Sequence, residues 1–123
     1  MYKISVETKF AAAHKLLNYE GDCVRIHGHN WVIKAQIAVQ KLDSIGIGYD
    51  FKKLKQHLNN VIKKFDHQLL NEIPPFDEIN PSSENLANYI FHSLKDKLAP
   101  DIKMISVEVK ESEKYSVIYS DEN

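Results

Sequence analysis

The stretch His27-Gly28-His29 constrains this chain more than any other. It opens a segment in which Trp31, Ile33, Ala35, Ile37 and Val39 alternate with more polar residues, the period of a β-strand. Strand side chains alternate between faces, so both imidazoles project the same way, with only the hydrogen of Gly28 between them. Two neutral imidazoles on one face are most of a catalytic zinc site, which takes three protein ligands and keeps a further position open. His14 ends the preceding alternating segment, and an antiparallel neighbour would bring it beside the pair. The competing reading is two edge-strand histidines bonded only to backbone.

The 123 residues are expected to form one domain, 1–123, large enough for a modest core. Lys and Arg number 16 and Asp and Glu 17, a formal charge of −1, so no overall field draws the chain to nucleic acid or an anionic membrane. The opening residues alternate Tyr2, Ile4, Val6 with Lys3, Ser5, Glu7, unlike the continuous apolar run of a signal peptide. A single cysteine, Cys23, excludes an internal disulfide, and a reducing cytoplasm is the expected compartment.

Residues 2–13 read as a strand whose end, Phe10-Ala11-Ala12-Ala13, has small side chains that admit a close neighbour. A polar loop from Lys15 to Asp22 leads to Cys23, and the second strand is expected to run to about Gln40. After a turn at 43–48, a short strand is expected to end at Asp50, which caps a helix with Phe51, Leu54, Leu58, Val61, Ile62 and Phe65 on its apolar side. The lysines opposite read as a solvated face. Ser82 caps a second helix with Leu86, Ile90, Phe91, Leu94 and Leu98 inward. Two strands follow, 102–111 with Ile105, Val107 and Val109 sharing a face, and 115–120. The expected class is α+β, ββααββ: a four-stranded antiparallel sheet with two helices on one face. Open sheet edges in so short a chain favour a homo-oligomer.

Three further features carry chemistry. Cys23 stands four residues before His27, where a metal or positive charge would make its thiol reactive; otherwise it is a small buried apolar side chain. Asp66-His67 closes the first helix, where histidine also satisfies terminal carbonyls, and an Asp–His relay needs a turn or an interface to aim the two side chains. Glu111 continues the apolar face of Val107 and Val109, so its carboxylate needs a partner. His57 and His92 read as surface or boundary residues.

Phe10-Ala11-Ala12-Ala13-His14, the Cys23-x-x-x-His27-Gly28-His29-Asn30 run, Tyr49-Asp50-Phe51, Phe65 to Asn71, Asn80-Pro81-Ser82-Ser83-Glu84-Asn85 and Lys110-Glu111-Ser112 resemble, in order and spacing, the 6-pyruvoyl- and 6-carboxy-tetrahydropterin synthase family. Ser112 stands where Thr is usual, and Trp31 where Tyr is common. The resemblance implies the tunnelling fold (T-fold), with trimers paired into a hexamer and the active site at a subunit interface. It implies that His14, His27 and His29 bind Zn2+, that Cys23 is the catalytic base, and that Asp66 and His67 form a proton relay contributed by a neighbouring subunit. Glu111 then resembles the carboxylate that grips the 2-amino and ring N–H donors of a pterin.

Three residues between Cys23 and His27 match the bacterial-type 6-carboxy enzymes of that family. The implied reaction converts 7,8-dihydroneopterin triphosphate to 6-carboxy-5,6,7,8-tetrahydropterin, releasing acetaldehyde and triphosphate on the route to 7-deazaguanine compounds such as queuosine. The alternatives are a 6-pyruvoyl synthase, which keeps the three-carbon side chain, and a non-catalytic zinc- or pterin-binding scaffold.

Overall fold

Alternation over the first forty residues builds a long antiparallel pair. The structure, a computed structural model, describes residues 1–17 and 25–121. Strand β1, Tyr2–His14, pairs with β2, His27–Val39, from Tyr2↔Val39 to His14↔His27, with Ala12 opposite His29. That register sets His14, His27 and His29 on one face at one end of the pair. The same face continues inward as Phe10, Trp31, Ile33 and Ala35, all buried.

Helix α1, Phe51–Ile62, starts where the Asp50 side chain accepts the Lys52 N–H, and helix α2, Ser83–Lys95, where Ser82 accepts from the Asn85 N–H. Leu54, Leu58, Val61 and Ile62 of α1 and Leu86, Ala87, Ile90, Phe91 and Leu94 of α2 join the inner sheet face in one core. Trp31, Phe65 and Phe91 are essentially fully buried, each worth roughly 1.5–3 kcal/mol or more of transfer from water. Phe51 is the exception on its helix, 65% exposed at the first helical position, before the stripe has turned inward.

The sheet has five strands, in the order β3-β1-β2-β4-β5, rather than the four expected. The addition is β3, Gln68–Leu69, which pairs parallel to β1 at Ala12 and Ala13. Two residues are too few to show a periodicity. The short strand expected to end at Asp50 does not form; residues 41–50 are turns, bends and irregular chain. Strand β4, Lys103–Lys110, pairs antiparallel with β2, and β5, Ser116–Tyr119, with β4. A bulge opposite Gln36 and Ile37 pairs Ile37 with Met104 and Gln36 with Ser106, so Met104, not Ile105, joins Val107 and Val109 in the core. Among the described residues no helix is long and apolar enough to cross a membrane.

Candidate metal centre

The paired ends of β1 and β2 bring three imidazoles together, and the end of β4 adds a carboxylate. The ligand atoms of His14, His27, His29 and Glu111 all lie within 4.8 Å of one another. His14 is 1% exposed, and its ring meets those of His27 and His29 edge-on at centroid distances of 4.7 and 5.3 Å. Trp31 packs edge-on against both His14 and His29 and donates its indole N–H to the Ala12 carbonyl at 3.1 Å. The ring thereby braces both ligand strands.

The outer hydrogen bonds decide which nitrogens are free. His14 Nδ1 donates to the Pro81 carbonyl at 2.8 Å, and His27 Nδ1 to the Arg25 carbonyl at 2.8 Å. A carbonyl only accepts, so each neutral ring carries its proton on Nδ1 and turns a bare Nε2 inward. This is the usual outer-shell pattern of metal-ligating histidine. His29 Nε2 is buried with no hydrogen-bond partner. Burial above all holds the His29 pKa below 6.5, with His14 and His27 pushing the same way against the opposing pull of Glu111. Three ring nitrogens converging in a partly buried pocket fit a metal cation of imidazole-loving character, and these residues would hold it.

The Glu111 carboxylate lies against the three rings: Oε1 is 2.8 Å from His29 Nε2, 3.2 Å from His14 Nε2 and 3.8 Å from His27 Nε2. Its other oxygen, Oε2, accepts from Ser83 Oγ at 3.4 Å. The partner that this inward-facing carboxylate required is therefore the histidine group and the first turn of α2.

Asp66 and His67 form a second, separate arrangement at the other edge of β1. Asp66 Oδ1 accepts the Ala11 N–H at 3.0 Å, and the His67 N–H donates to the Ala11 carbonyl at 2.6 Å. His67 adopts a left-handed backbone, φ 61°, which sets its Nδ1 3.0 Å from Asp66 Oδ1. The turn that a relay between adjacent residues needs is thus present. His67 is 80% exposed and lines, with Ala11, Ala13, Gly28, His29 and Asn30, an open depression of about 490 Å³. Cys23 lies outside the described residues. His57 and His92, on α1 and α2, take no part in the metal group.

Several supporting groups were not singled out from the sequence. Asn71 brackets Lys15 with two hydrogen bonds, accepting from its N–H at 2.9 Å and donating to its carbonyl at 3.0 Å. Asn80 accepts the Leu17 N–H at 2.9 Å, while its own carbonyl accepts from the Asn85 side chain at 2.8 Å. These bonds hold the chain leaving His14 against the segment that presents the Pro81 carbonyl. Their only signal was the recurrence of asparagine at the ends of two loop blocks.

Fold and site together define a small α+β protein with three histidines and a carboxylate that could hold a metal ion at the end of an antiparallel pair. The family model described as 6-pyruvoyl tetrahydropterin synthase matches residues 3–122. The chain is 36% identical over 112 residues to a 6-carboxy-5,6,7,8-tetrahydropterin synthase of Synechocystis, covering 87% of this chain and 85% of that one. It is 38% identical over 94 residues to a putative 6-carboxy-5,6,7,8-tetrahydropterin synthase of Archaeoglobus fulgidus, covering 76% of each. The solved 6-pyruvoyl tetrahydropterin synthase of Caenorhabditis elegans superposes with a TM-score of 0.88 at 27% identity, over 98% of this chain and 96% of that one. The chain belongs to the 6-pyruvoyl tetrahydropterin synthase family.

Proposed function

We propose that this protein is a zinc-dependent lyase that converts 7,8-dihydroneopterin triphosphate and water to 6-carboxy-5,6,7,8-tetrahydropterin, acetaldehyde and triphosphate, a step toward 7-deazaguanine compounds such as queuosine. The observation that carries the reading is the convergence of three imidazole nitrogens on one point, two of the rings oriented by Nδ1 bonds to carbonyls. The names of the Synechocystis and Archaeoglobus relatives support the 6-carboxy product.

In this reading His14, His27 and His29 hold zinc, which when bound supplies Lewis acidity toward the vicinal oxygens of the substrate side chain. Cys23 takes the proton from the adjacent carbon, a transfer typically worth ~10²–10⁴-fold when the base is positioned. Asp66 and His67 move protons on the side-chain hydroxyls. The 80% exposure of His67, which lies outside the metal group of its own chain, favours service to a neighbouring subunit in a homohexamer of two trimers. Glu111 accepts from the 2-amino and ring N–H donors of the pterin, with Ser112 beside it.

The test is mass analysis of the pterin formed when zinc-loaded protein is given 7,8-dihydroneopterin triphosphate. A 6-carboxy product supports the reading. A product keeping three side-chain carbons makes the protein a 6-pyruvoyl synthase, and unchanged substrate leaves a binding scaffold.

A further inference from the structure

The Glu111 carboxylate completes the histidine group, its oxygen lying with the three ring nitrogens inside one 4.8 Å cluster. His14 and His27 each donate through Nδ1 to a carbonyl, which turns both Nε2 atoms toward Glu111, with His14 Nε2 within hydrogen-bond reach of Oε1 at 3.2 Å. His29 Nε2, only 2.8 Å from Glu111 Oε1, forms no hydrogen bond with it. One carboxylate oxygen thus faces three ring nitrogens at 2.8, 3.2 and 3.8 Å, a four-atom set that a cation among them would bind together.

The distances also say where that cation belongs. Metal–ligand bonds of ~2.0–2.1 Å set tetrahedral ligand-to-ligand edges near ~3.3–3.4 Å, whereas an oxygen standing in the metal's own place would lie ~2 Å from each nitrogen. Glu111 Oε1, at 2.8–3.8 Å, lies around those edges and well beyond a bond length from each nitrogen, as a fourth ligand would. Its second oxygen is engaged by Ser83 Oγ, which leaves Oε1 for single-point ligation. Glu111 extends β4, Ser83 opens α2, and the histidines end β1 and β2, so four elements close on one point.

We propose that Glu111 Oε1 is the fourth ligand of the resting metal centre, and that it leaves when the N–H donors of a pterin claim the carboxylate. Pterin binding would then open the position that the substrate's side-chain oxygens must take. The release half rests on the pterin reading above; the ligation half does not.

Cobalt-loaded protein, without substrate, tests the ligation through its visible absorption and a thiocyanate titration. Wild type is expected to give four-coordinate bands and to bind thiocyanate at least ~10-fold more weakly than Glu111→Ala, with the near-isosteric Glu111→Gln shifted in the same direction. Identical spectra and thiocyanate affinities in all three proteins overturn the ligation. A protein that takes up no cobalt overturns the metal centre itself.

7,8-Dihydropterin with no side chain, which reaches the carboxylate but carries no oxygens for the metal, tests the release. Its addition is expected to bring wild-type thiocyanate affinity to that of Glu111→Ala and to leave the variant unchanged. Binding of that pterin, followed by fluorescence, with no change in the cobalt bands overturns the release. Failure of the pterin to bind at all overturns the pterin reading and leaves the ligation standing.

Discussion

His14 and Pro81 are joined by a 2.8 Å hydrogen bond from the ring Nδ1 to the carbonyl, across 67 residues of sequence. The bond ties the last residue of β1 to the residue before the cap of α2 and turns the opposite nitrogen toward His27 and His29. Replacement of His14 by Ala is expected to lower metal affinity by more than ~10–100-fold, since a ligand is lost with its outer partner. The unpaired buried carbonyl should cost a further ~1–3 kcal/mol. Chelator competition and a urea midpoint on metal-free protein measure the two effects separately.

Trp31 touches His14 and His29 and bonds the strand that carries His14, so it should matter to the metal without binding it. Trp31→Phe keeps an aromatic core residue but strands the Ala12 carbonyl. Stability should fall by about 1–3 kcal/mol. Metal affinity should fall roughly tenfold, as for outer-shell losses elsewhere, and equilibrium metal titration checks it.

Acid should destabilise the metal-free protein through His29. Above pH 6.5 the ring is neutral in both folded and unfolded chains and costs nothing. As the pH falls through 6.5, the unfolded chain takes up a proton that burial denies the folded one, so stability is lost until the lowered folded pKa is passed. Urea midpoints at pH 7.5 and 5.5 should therefore differ more in wild type than in His29→Gln. Metal binding should weaken over the same fall in pH, because protons compete for the same nitrogens.

Cys23→Ala should keep its metal and bind pterin but lose turnover, and unchanged turnover would remove Cys23 as the base. Asp66→Ala should also keep its metal, since Asp66 stands apart from that group, while turnover falls with the loss of the His67 partner. Its cost in stability is that of one exposed backbone contact, about 1 kcal/mol, measured by denaturant.

What could be read from the residues alone was periodic. Alternation placed His27 and His29 on the face of Trp31 and Ile33, pointed Glu111 inward and brought His14 alongside; the helix caps Asp50 and Ser82 followed from residue type. What could not be read was set by tertiary contact. Gln68–Leu69 becomes a strand only because the edge of β1 is there to pair with. The bulge that replaces Ile105 by Met104 arises where β2 and β4 change register. Neither the carbonyls of Pro81 and Arg25 nor the left-handed turn at His67 leaves a side-chain signature, although they decide which ring nitrogens face the centre and how Asp66 meets its neighbour.

The stoichiometry of small products tests the proposed chemistry most directly. Zinc-loaded protein should release acetaldehyde and triphosphate in a one-to-one ratio from 7,8-dihydroneopterin triphosphate, and a chelator should abolish both. Triphosphate released without acetaldehyde would contradict cleavage of the carbon–carbon bond, and release of both from metal-free protein would contradict the role given to the three histidines.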